Sequence, residues 1–99
     1  MTEAKYSGGG NLYTLSAIGH ATGDQNVCAA VSTLVQTLMG YLVNLERQEE
    51  ATILNREYGD GVFRVTASGG DRCRGAFEVA WFGFCQLAHS FPEQVSIKK

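Results

Sequence analysis

Two side chains in this sequence can do proton-transfer and nucleophilic chemistry near neutral pH, His20 and Cys28, and they lie eight positions apart. A thiol attacks only as thiolate, and the unpaired N–H groups at a helix N-terminus favour that form. An imidazole within hydrogen-bond reach can take the thiol proton and later return one to a leaving amine. Each residue also has a plainer explanation. Most free cysteines are small buried hydrophobes, and a loop histidine can be satisfied by backbone groups. Chain distance alone does not choose between these.

The elements around the pair favour the chemical reading. Leu12 to Ile18 alternates, with Tyr13, Leu15 and Ala17 on one side and Thr14 and Ser16 on the other, which predicts a strand. The strand runs into Gly19-His20-Ala21 and a short polar loop, Thr22 to Gln25. Val27, Ala30, Val31, Leu34, Leu38, Tyr41, Leu42 and Leu45 then recur at helical spacing, with Asp24 or Asn26 as N-cap. Cys28 falls in or beside the first turn of this helix, which ends near Glu46 to Gln48 after about 20 residues, or about 30 Å.

Ala51 to Glu57 and Val62 to Ala67 read as a hairpin across Tyr58-Gly59-Asp60-Gly61. A second helix carries Phe77, Ala80, Trp81, Phe84, Leu87 and Ala88 and stops before Pro92, and Val95-Ser96-Ile97 closes as a strand. The expected fold class is α+β: one domain over residues 1–99, a two-layer sandwich in which a mostly antiparallel sheet carries two helices on one face. The element order reads βαββαβ. Residues 1–11, polar and ending in Ser7-Gly8-Gly9-Gly10, read as flexible or as a weak edge strand.

Composition narrows the function classes. The chain is 44% apolar and 18% charged with a net charge of −2, which suits a folded domain and gives no basic surface for direct nucleic-acid binding. No unbroken apolar run reaches the roughly 18 residues of a membrane span, and the start has no secretory pattern, so the expectation is a cytoplasmic protein away from membranes. Three cysteines, an odd number, suit a reducing compartment. Without paired spacing they and the histidines offer no metal site, and no cofactor is expected. Cys73 between two arginines reads as a loop thiol, Cys85 as core, and His89 as a cation at a helix end. Trp81 and the phenylalanines exceed one helix face, which predicts a homodimer. Glu46 to Glu50 reads as a solvated helix end.

Gly19-His20-Ala21, followed by Val27-Cys28-Ala29-Ala30-Val31-Ser32, resembles the ribosomal-processing cysteine proteases, the Prp family. Thr33 to Leu45 is similar to that family's long helix, and Gly83 to Ile97 to its closing helix, aromatic-proline break and last strand. The resemblance covers most of residues 12–97. It implies a homodimeric endopeptidase that removes the N-terminal extension of a large-subunit ribosomal protein, with Cys28 as nucleophile and His20 as base. It also implies backbone N–H groups at Cys28 and Ala29 for an oxyanion, and places Ser32 beside the site, although Ser32 could equally return its hydroxyl to the helix backbone.

Two departures from the family pattern stand out. The loop from Ala21 to Val27 is shorter, and Gln25 replaces an acidic residue, leaving Asp24 as orienter of His20 or as helix cap. They leave the substrate open between a ribosomal extension and a phage protein. A non-catalytic dimeric interaction module and a hydrolase of other small amides or thioesters remain the alternatives.

Overall fold

The computed structural model describes residues 1–19 and 25–98. Strand β1, Thr2–Gly9, turns into β2, Leu12–Ile18, through Gly10 and Asn11. Both turn residues have positive φ, 60° and 64°, the hairpin conformation that matches strand twist. Helix α1 spans Gln25–Arg47. The hairpin of β3, Ala51–Gly59, and β4, Val62–Gly69, follows. Helix α2, Asp71–Ser90, and the short β5, Val95–Lys98, complete the chain. The sheet order is β3-β4-β2-β1-β5, antiparallel except for the parallel β1–β5 pair.

The expectation for residues 1–11 is therefore corrected. The segment forms a full strand between β2 and β5, neither flexible nor at an edge, so the order is ββαββαβ. Its inward positions explain why the pattern is faint. Thr2 and Ala4 are buried and Tyr6 half-buried, none strongly apolar, and the glycines that follow contribute no side chain.

One sheet face is apolar and the other is not. Cross-strand partners Ala4 and Ala17, Leu15 and Val65, and Ala17 and Phe63 are buried, and α1 and α2 close over them as one core. On the opposite face Thr14 and Thr66 meet with hydroxyl oxygens 3.0 Å apart. Phe77 and Phe84 on α2 are fully buried, each worth roughly 1.5–3 kcal/mol of transfer free energy. The Phe77 ring lies 5.7 Å from that of Tyr13. The helices approach closely at Gly83, where a Cβ would come within 2.6 Å of a Leu34 methyl.

By length and composition α1 could cross a bilayer. Here it lies on the sheet with Val27, Val35, Leu38, Leu42 and Leu45 buried. The charge cluster after it is more than a solvated end. Glu46 accepts the Ile53 N–H at 2.8 Å beside the β3 bulge. Arg72 at the start of α2 donates to Glu50, to Gln48 at 3.1 Å and to the Tyr41 hydroxyl at 3.2 Å. These groups are exposed, so they fix register between α1 and α2 more than they add stability.

Candidate active site

Cys28 is the fourth residue of α1 and is exposed. Its neighbour Val27 is fully buried and anchors the helix start, so the thiol sits on a fixed backbone. It opens on a cleft of about 220 Å³ shared with Ser32, Gly19 and the β3–β4 turn. Ala17, Val31 and Phe63 supply the apolar lining. Helix α1 thus brings Cys28 and Ser32 to one surface, as i and i+4 spacing requires.

Ser32 is half-buried in that cleft. The hydroxyl return to the helix is made by its neighbour Thr33, whose Oγ1 donates to the Ala29 carbonyl at 2.8 Å. Ala29 is exposed beside Cys28. A helix that begins at Gln25 gives the Ala29 N–H an acceptor four residues back.

His20 and Asp24 lie outside the described residues. The backbone up to Gly19 is held by hydrogen bonds to two other segments. Gly19 has φ of 99°, a conformation natural to glycine. Its N–H donates to the Gly61 carbonyl at 2.7 Å. Its carbonyl accepts the Thr2 hydroxyl at 3.3 Å. The Thr2 N–H in turn donates to the Gln94 carbonyl at 2.8 Å. The end of β2 is thus tied to the tip of one hairpin and to the first strand, at the cleft that holds Cys28.

Sequence reasoning missed Thr2, Tyr58 and Asp60 as cleft residues. They come from segments far from Cys28 in sequence, and only the adjacency of β2 and β4 could have pointed to the last two. The other cysteines differ from expectation in placement. Cys73 is a fully buried residue of α2, not a loop thiol, packed where a Cβ on Gly69 would come within 2.6 Å of its own Cβ. Burial pushes the Cys73 thiol up. Cys85 is half-buried, and His89 is exposed in the last turn of α2.

These environments predict an order of thiol reactivity. Iodoacetamide at neutral pH should label Cys28 first, Cys85 more slowly and Cys73 last, because Cys73 is both inaccessible and poor in thiolate. Peptide mapping of a labelling time course reads this directly. Labelling of Cys73 ahead of Cys28 would contradict the packing described.

No curated protein sequence matches this chain. Among solved structures, SMU.848 from Streptococcus mutans is similar with a TM-score of 0.71 and 27% identity, the match covering 99% of this chain and 96% of that one. The essential ribosomal processing protease Prp from S. aureus, in complex with a covalently linked product peptide, has the same fold: TM-score 0.77, 15% identity, and coverage of 99% and 98%. Its complex with a substrate peptide gives a TM-score of 0.72 at 14% identity, with the same coverage. The profile of the family described as cysteine protease Prp matches residues 1–96. With the exposed thiol at the start of α1 in an open cleft, the chain belongs to the cysteine protease Prp family.

Proposed function

We propose that this member of the family cleaves the N-terminal extension from a large-subunit ribosomal protein, with Cys28 as nucleophile and His20 as base. The observation that carries the reading is the exposed Cys28 thiol in a cleft that also receives the backbone leading into His20. The imidazole takes the Sγ proton, and the thiolate attacks the scissile carbonyl. Backbone N–H groups near Cys28 at the start of α1 stabilise the tetrahedral oxyanion. The imidazolium gives its proton to the leaving amine, leaving a thioester on Cys28. Water, deprotonated by the same imidazole, then hydrolyses the thioester and restores the thiol.

The lining of Ala17, Val31 and Phe63 suits an apolar or aromatic side chain near the cut. A homodimer in the cytoplasm completes the proposal. Its support is the apolar surface remaining on α2, where Val79 is 74% and Phe82 64% exposed.

The test is incubation with a peptide spanning the extension junction, carrying an aromatic residue before the cut, followed by mass spectrometry. Two products are expected. His20→Ala should slow both cleavage and Cys28 alkylation, the former by about 10²–10⁴-fold, as for loss of a general base. A reactive thiol without peptide cleavage would instead favour a hydrolase of other small acyl compounds.

A further inference from the structure

Strand β3 is an edge of the sheet, with β4 on one side and no strand on the other among the described residues. The β2–β4 ladder fixes which of its backbone groups are left over. At one end of that ladder the Gly69 N–H donates to the Asn11 carbonyl at 3.0 Å, and at the other the Gly19 N–H donates to the Gly61 carbonyl at 2.7 Å. Hydrogen-bonded pairs alternate along an antiparallel ladder. Phe63, Val65 and Ala67, opposite Ala17, Leu15 and Tyr13, therefore bond to β2. That leaves Val62, Arg64, Thr66 and Ser68 to bond to β3, through Gly59, Glu57, Asn55 and Thr52. Ile53, Arg56 and Tyr58, opposite Ala67, Val65 and Phe63, aim their backbone N–H and C=O groups away from the sheet.

The two halves of this edge are treated differently. In the first, a bulge interrupts the ladder and the outward Ile53 N–H is taken by the Glu46 carboxylate at 2.8 Å, the kind of cover that blocks further strand pairing. The second half has no such cover among the described residues, and residues 54–60 are all exposed. It is this open half that runs into the Cys28 cleft, whose wall includes Tyr58 and Gly59. Arg56 and Tyr58 lie on the helix-bearing face with their buried partners Val65 and Phe63. The Tyr58 ring stands edge-on to Phe63, with centroids 6.1 Å apart, yet stays 63% exposed. Glu57 is turned to the opposite face and held there by Arg64 at 2.9 Å.

We propose that the peptide substrate adds as a strand to β3 along Arg56 and Tyr58, and that this pairing leads the scissile bond to Cys28. The peptide backbone lies about 4.7–4.9 Å beyond β3 and exchanges hydrogen bonds with the N–H and C=O groups of those two residues. Every second peptide side chain then faces the Tyr58 ring and the apolar lining of the cleft. Strand addition draws affinity from main chain and leaves selectivity to the pockets for alternate side chains. The inference rests on the peptide-cleaving reading above and adds how the peptide is held.

The test is an N-methyl scan of the junction peptide, one backbone nitrogen at a time. Binding is measured by fluorescence anisotropy on full-length Cys28→Ala, and cleavage by mass spectrometry on the wild type. Methylation at one residue and at the next but one should raise Kd and KM about tenfold each, the upper end for one net hydrogen bond, with the residue between them much less sensitive. Arg56→Pro, at a position whose N–H is not used by β4, should weaken binding of the unmethylated peptide by about as much. Arg56→Ala, which removes the charge and keeps the N–H, should weaken it less.

A scan without alternation overturns the proposal, and so do equal losses for Arg56→Pro and Arg56→Ala, which would make the side chain the contact. Alternating binding without cleavage supports the paired strand and counts against the peptide-cleaving reading. Cleavage indifferent to every methyl group counts against the present inference alone. A peptide neither bound nor cut overturns both.

Discussion

Cys28→Ala is expected to abolish peptide cleavage while leaving the fold almost untouched. The thiol is exposed and contributes nothing to the buried cluster beneath α1. Substitutions at such positions usually change stability by less than about 0.5 kcal/mol, and alanine is a better helix former than cysteine. Activity has no such tolerance, because Cys28 is the only cysteine among the described residues that line the cleft. Cleavage assayed by mass spectrometry should fall to the uncatalysed background, while the circular-dichroism melting curve should overlay that of the wild type. A melting temperature lowered by many degrees would show that Cys28 is structural, and residual cleavage would move the nucleophile elsewhere.

Gly19→Ala should damage both stability and activity. The φ of 99° is costly for any residue with a side chain, about 1–3 kcal/mol from the backbone alone. A Cβ there would also come within 2.2 Å of the Met1 carbonyl oxygen. Main chain cannot step aside as a flexible side chain can, so β1 or the end of β2 must move. Either shift strains the bonds from Gly19 to Gly61 and from Thr2 to Gly19 that define the cleft wall. At roughly 4–8 °C per kcal/mol for a domain of this size, the expected fall in Tm is about 5–20 °C. Cleavage should be lost even at temperatures where the variant remains folded. A variant with wild-type Tm and rate would show that this backbone does not organise the site.

The contrast between these two positions explains what was legible in the sequence. Helix α1 is announced by Val27, Val31, Leu34, Leu38, Leu42 and Leu45 at three- and four-residue steps, and it fixes the surface that Cys28 shares with Ser32. Strand β2 shows its alternation just as plainly, and the Gly59-Asp60-Gly61 run marks a turn. Strand β1 is silent because its inward residues are Thr2, Ala4 and Tyr6, whose weak apolar contrast hides the period of two.

The cleft was legible only on one side. Cys28 and Ser32 are placed by local helical geometry, whereas Thr2, Tyr58 and Asp60 reach the thiol through the order of strands in the sheet. That order depends on pairings between distant segments, such as Leu12 with Ser68, and no local pattern encodes them. Asp60 reads as turn chemistry until β2 and β4 are known to be neighbours. The burial of Cys73 has the same origin, since α2 presses its first turn against Gly69.

The bond between the Thr2 amide and the Gln94 carbonyl has a consequence for timing. Thr2 steadies Gly19, and Thr2 is itself steadied by a residue separated from it by nearly the whole described sequence, next to the parallel β1–β5 seam. Contacts of such long sequence separation carry a loop-closure cost and form slowly. A half-assembled chain would display its sulfur on a nascent helix with nothing to grip a peptide against it. The cleft wall facing Cys28 is therefore expected to be complete only once β1 and β5 have paired.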